Sequence, residues 1–142
     1  MIHAFNDLRR GIDYLQTRKD IDGNRVAYYR LSMGAGAAPV MTALETRFKA
    51  SVLLGGGLYE REFPPEADPF NFLPRVNVPT LMISGRYDFP FPIETSQRPM
   101  FERLGTSQKR HRVFESGHLP RERYEWIKEA LDWLDKYLGP VR

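Results

Sequence analysis

The segment VPTLMISG constrains the fold more than any other stretch of this chain. From Thr80 to Ser84 it is apolar almost throughout, with β-branched residues and a glycine stop. A strand with one solvated face alternates apolar and polar residues, whereas a parallel strand covered on both faces reads as a continuous apolar run. Three further short runs are rich in β-formers: RVAYYRLS, KASVLLGGG and HRVFESG. They predict strands over Val26 to Leu31, Ala50 to Leu54 and about Arg112 to Glu115. Helical patterns separate them. Phe5, Leu8, Ile12 and Leu15 recur at three and four residues and predict a helix over residues 3 to 18. A second helix follows Ser32 and carries Pro39, which either delays its start or kinks it. A third spans about Glu94 to Leu104. Tyr124, Ile127, Leu131, Leu134 and Leu138 mark a fourth, from about Arg121 to Tyr137, stopped by Gly139-Pro140. Residues 58 to 78 are Pro-rich and irregular, with a short helix around Asp68 to Leu73. Helices alternating with short strands predict an α/β domain of three layers, a mainly parallel sheet of about four strands between helices. The 142 residues suit a single such domain over 1–142.

Composition narrows the chemistry. The chain has no cysteine, which removes disulfides, thiol nucleophiles and thiolate metal sites. Its net charge of +3, from 21 basic against 18 acidic residues, is mild. The basic groups at Arg9-Arg10, Arg18-Lys19 and Lys109 to Arg112 read as solvated helix ends and loops, and no nucleic-acid partner is expected. The N-terminal MIHAFNDLRRG has neither a signal peptide nor a membrane span, so a cytoplasmic location is the expectation and no membrane partner is. Glu62, Glu66 and Asp68 lack a histidine at ligand spacing, so no metal is expected. Gly55-Gly56-Gly57 lacks the lysine and serine of a phosphate loop, so no nucleotide or other cofactor is expected. His3 and His111 have no partner pattern.

Ligands of open parallel sheets bind beyond the carboxyl ends of the strands. Ser32 follows the first strand, Asp88 the third, in SGRYD, and His118 the last, in ESGHLP. Each alone has an ordinary explanation: a helix cap, a turn former, a surface histidine. Together they bring a serine, a carboxylate and an imidazole to one sheet edge. That is what acyl transfer needs: His118 takes the Ser32 proton and returns it to the leaving group, while Asp88 orients the imidazole.

With LSMGAG at the serine, VPTLMISGRYDFPFP at the aspartate and FESGHLP at the histidine, the chain resembles the α/β-hydrolases. It is most similar to the C-terminal half of their dienelactone-hydrolase and acyl-peptidase-like esterase branch. The resemblance covers nearly all of the chain and corresponds to the last four of the family's eight strands, a truncated or minimal version of the fold. It implies Ser32 as nucleophile, Asp88 as acid, His118 as base and the Met33 backbone N–H as an oxyanion donor. At the elbow, Gly34 matches the glycine two positions after the nucleophile. Arg30 stands where the family pattern has its first glycine. The family's second oxyanion donor comes from a loop outside the matched part; loss of one donor costs roughly 3 kcal/mol of transition-state stabilisation. Dienelactone hydrolases use a cysteine nucleophile, which this chain cannot supply.

The resemblance further implies that the strand usually beside Val26–Leu31 is absent, which leaves that edge open and makes room for Arg30. An open strand edge invites pairing, so a homo-oligomer through Val26–Leu31 is the expectation. Tyr59, Phe63, Phe70 and Phe72, in the long loop, are candidates for lining the substrate pocket, with shielding of the sheet edge as the alternative. An apolar pocket of that kind suits short to medium acyl esters better than charged ones. The expected function is a serine hydrolase of small carboxylic esters acting through an acyl-enzyme. The alternatives are a weak or inactive remnant with a structural or binding role, and a peptidase or thioesterase of the same fold.

Overall fold

The computed structural model describes residues 1–61 and 63–140, so Glu62, raised above as an acidic side chain, lies outside the described residues. The chain runs α1 (Ile2–Thr17), β1 (Val26–Leu31), α2 (Met33–Gly36), α3 (Ala38–Leu44), β2 (Phe48–Leu54) and α4 (Pro69–Phe72). A 3₁₀ turn (Leu73–Arg75), β3 (Thr80–Gly85), a π-helical turn (Ile93–Gln97), α5 (Arg98–Arg103), β4 (Lys109–Phe114) and α6 (Arg123–Leu138) complete it. The four strands lie in the order β1-β2-β3-β4 and every pair is parallel. Among the described residues, β1 pairs only with β2, so its other edge is open.

Strand periodicity explains the unbroken apolar runs. Successive side chains point to opposite faces. Leu53 of β2 and Met82 of β3 enter one core with Ile12, Tyr28, Met41, Val76 and Met100. Their neighbours Val52, Leu54, Leu81 and Ile83 enter a second core with Phe114, Ala130 and the partly buried Trp126, Trp133 and Leu134. The sheet is therefore covered on one face by α1, α3 and α5 and on the other by α6.

Local chemistry fixes the breaks. The helix after Ser32 divides at Ala37, and α3 restarts with Pro39 in its first turn, where the missing N–H has no intrahelical partner to lose. Asp68 caps α4 by accepting the Phe70 N–H at 3.0 Å. Arg47 ties α1 to the turn before β2, donating to Glu45 at 2.8 and 2.7 Å, to Asp13 at 2.5 Å and to Gln16 at 3.0 Å. These donors satisfy a Glu45 carboxylate that is itself buried.

The helix near the C-terminus lies where the periodicity predicts, but its buried face differs. Trp126, Ala130, Trp133 and Leu134 meet the sheet, whereas Tyr124, Ile127 and Leu131 of the expected stripe are exposed. The two tryptophans offer more apolar area than the aliphatic stripe and turn the helix toward themselves. No helix among the described residues is long and apolar enough to cross a membrane.

Candidate active site

The ends of three strands feed one edge of the sheet, and a continued ladder holds each exit. The Ser32 N–H donates to Leu54 O at 2.8 Å, Gly55 to Ile83 O at 2.8 Å and Arg86 to Phe114 O at 2.8 Å. Ser32 then turns sharply into α2 with φ 52° and ψ −113°, the only non-glycine positive φ among the described residues. A serine in this sparsely populated region costs on the order of 1–3 kcal/mol, held by the structure around it. The turn points Ser32 Oγ outward and puts Met33 first in α2, where its N–H has no intrahelical acceptor.

Ser32 Oγ lies 2.8 Å from His118 Nε2, and His118 Nδ1 lies 2.9 Å from Asp88 Oδ2. A carboxylate only accepts, so Nδ1 donates to Asp88 and Nε2 is left to accept from the Ser32 hydroxyl. Asp88 is 3% exposed, and its second oxygen accepts the Phe91 N–H at 3.0 Å. The His118 side chain keeps 30% of its surface open. The arrangement is graded from a buried carboxylate to an accessible imidazole and hydroxyl.

Two glycines permit this crowding. Gly55 has φ +55°, and a Cβ there would lie 2.7 Å from the His118 carbonyl oxygen. A Cβ on Gly85 would collide with the Ser116 and Gly117 carbonyls, so the acid and histidine loops cross only because it has none. Between those loops, buried Gln97 donates Nε2 to Phe91 O at 2.6 Å and Gly85 O at 3.3 Å, bracing both ends of the turn that carries Asp88.

At the elbow, Arg30 is exposed and its side chain lies over Gly34, where a Cβ would meet Arg30 Cβ at 3.1 Å. The small residue at 34 thus leaves the arginine stem its room. Tyr28 donates its hydroxyl to Gly34 O at 2.8 Å, and burial pushes that phenol up to about 12.

The expected pocket aromatics separate. Tyr59 donates to Met33 O at 2.5 Å and packs edge-on to Phe91, whose ring stacks near His118 with centroids 6.1 Å apart. Tyr59, Phe63 and Phe70 line a hollow of about 340 Å³ that none of Ser32, Asp88 and His118 lines. Phe72 differs from expectation. Two residues along a short helix lie on nearly opposite faces, so α4 exposes Phe70 and buries Phe72. A larger cleft of about 580 Å³ opens directly at Ser32, bounded by Tyr28, Arg30, Met33 and Gly34 with Arg61 across it. Each residue of the hydrogen-bonded trio is followed by an exposed apolar one, Met33, Phe89 and Leu119, at 76%, 91% and 47%. Gln97, Arg61, Phe89 and Leu119 carry no motif by which sequence could single them out, whereas Met33 is expected there for its backbone N–H and also presents an exposed side chain.

A second serine–histidine contact shows what the first has in addition. His111 Nε2 lies 3.1 Å from Ser84 Oγ, but Ser84 is 0% exposed and no substrate can reach it. Burial, and Arg98 nearby, lower the His111 imidazole from its ordinary 6.5 to about 4. The unfolded chain therefore binds a proton between pH 6.5 and pH 4 that the folded chain refuses. The stabilisation is full above pH 6.5 and lost as pH falls toward 4, by up to about 3 kcal/mol. Urea unfolding of the wild type and of His111→Leu at pH 7, 5.5 and 4.5 checks this. The wild type should lose more stability than the variant across that range.

No protein-family model matches this chain, and neither does any curated protein. Solved structures do match. A cold-adapted esterase from an Arctic intertidal metagenomic library superposes with a TM-score of 0.77 at 21% identity, over 96% of this chain and 59% of that one. A Klebsiella pneumoniae protein described as a dienelactone hydrolase gives 0.79 at 20% identity, over 94% and 60%. An esterase from Pyrococcus furiosus gives 0.80 at 17% identity, over 95% and 62%. This chain thus has the α/β-hydrolase fold and spans about three-fifths of the length of these proteins.

Proposed function

We propose that this protein is a serine hydrolase of small carboxylic esters, with Ser32 as nucleophile, His118 as general base and then acid, and Asp88 as the group that orients and stabilises the imidazolium. The observation that carries the reading is the continuous chain Ser32 Oγ–His118 Nε2–Asp88 Oδ2, at 2.8 and 2.9 Å, with its serine on a strained strand-to-helix turn. The esterases among the structural neighbours support the same reaction class.

In this mechanism Ser32 Oγ attacks the ester carbonyl as His118 Nε2 takes its proton. The tetrahedral oxyanion forms beside the Met33 N–H at the start of α2, where an unpaired donor and the positive end of the peptide dipoles favour negative charge. His118 then hands its proton to the departing alkoxide, leaving an acyl-Ser32 ester. Water enters, gives a proton to His118, attacks the acyl carbon, and Ser32 recovers its proton as the acid leaves. Exposed Met33 at the cleft, and the exposed Phe89 and Leu119 that follow Asp88 and His118 in the chain, favour a substrate with an apolar stem at the reacting carbonyl.

Labelling with a fluorophosphonate, followed by peptide mass mapping, tests the nucleophile. One adduct on Ser32, abolished in His118→Ala, is the expected result. An unlabelled Ser32 in folded protein would sink the mechanism.

A further inference from the structure

Strand alternation sends Tyr28 and Arg30 to the same side of β1, toward the cleft that opens at Ser32. Two residues of strand rise place the Arg30 and Ser32 backbones about 7 Å apart. The Arg30 guanidinium lies 6.0 Å from the Tyr28 ring centroid. Arg61 approaches from the loop after β2, its guanidinium 4.4 Å from the Phe63 ring centroid and 5.2 Å from that of Tyr59. Neither arginine forms an ion pair with a carboxylate among the described residues. The cleft's described lining holds these two charged side chains and no acidic one; its remaining walls are apolar or small, including Ala4, Leu8 and Met41. A site beside a nucleophile with two cationic side chains and an apolar floor is complementary to a short carbon chain ending in an anion.

We propose that Arg30, with Arg61 in support, is a specificity-determining residue that selects esters carrying a carboxylate a few bonds from the scissile carbonyl. The proposal rests on the hydrolase reading above and names its substrate class. The planar guanidinium matches a carboxylate with two parallel N–H donors, and Tyr28 behind it limits where the fork can swing. The same geometry reassigns the residue at the position of the family's first glycine: Gly34 yields the space and Arg30 uses it to present a cation to the acyl chain.

The test compares monomethyl glutarate, a monoanion, with dimethyl glutarate, its uncharged counterpart on the same carbon skeleton, by pH-stat at low salt. The wild type should prefer the monoanion by about tenfold or more in kcat/KM, chiefly through KM. Arg30→Met should bring that ratio to about one, Arg30→Lys should restore part of it, and Arg61→Met should reduce it less. Binding of free glutarate to Ser32→Ala protein, followed by calorimetry, provides a readout that needs no turnover. Adding Arg30→Met to that protein should weaken glutarate binding by about tenfold. A wild-type ratio near one, or glutarate binding indifferent to Arg30→Met, overturns the anion site. If glutarate binding depends on Arg30 while neither ester is hydrolysed, the anion site stands and the hydrolase reading falls.

Discussion

Replacing Ser32 by alanine is expected to lower kcat/KM for short-chain p-nitrophenyl esters by about 10³-fold or more. The change removes one oxygen atom, which lies 2.8 Å from His118 Nε2, and leaves the backbone turn in place. Residual turnover would come only from binding and the Met33 N–H, since among the described residues no other hydroxyl bonds to the His118 imidazole. Ser84 meets a different histidine and is sealed from substrate. A second substitution separates chemistry from stability. Ser32→Gly should be equally inactive yet unfold at a higher temperature than Ser32→Ala, because glycine occupies φ 52° without the penalty that a Cβ imposes. Rates unchanged in Ser32→Ala would remove the proposed nucleophile.

Much of this arrangement is legible in the sequence because two unbroken apolar runs carry it. The apolar runs at β2 and β3 identify buried parallel strands, and the loops leaving the carboxyl ends of β1, β3 and β4 then share one edge of the sheet. Ser32, Asp88 and His118 follow from that placement, and the structure brings all three within hydrogen-bond distance of one another in series. What the pattern cannot carry is side-chain competition. On α6, a stripe of Tyr124, Ile127 and Leu131 has the right spacing for burial, but the tryptophans one face away cover more of the sheet. In the long loop, Phe70 and Phe72 have the same chemistry, and only the short helix between Asp68 and Leu73 sends one to solvent and the other inward. Gln97 is invisible for a related reason. A glutamine in a helical pattern reads as surface, whereas here its amide is buried and braces the Asp88 turn.

Asp88→Asn is expected to lower kcat by about 10⁴-fold with little change in KM. The amide has nearly the shape of the carboxylate, and its oxygen can still accept the Phe91 N–H that now bonds Asp88 Oδ1. Its NH₂ group must then face His118 Nδ1, where Asp88 Oδ2 now accepts. Two donors cannot share that contact, so the imidazole adopts the tautomer with its proton on Nε2. Nε2 then faces the Ser32 hydroxyl as a donor and cannot take its proton, although every heavy atom remains near its place. The Arg30 and Met33 side of the cleft is untouched, which is why the loss is expected on kcat. A merely structural role would show the reverse signature: a lower thermal midpoint with kcat reduced less than tenfold in the folded fraction. The pair of measurements therefore assigns Asp88 by its tautomer control, independently of the serine.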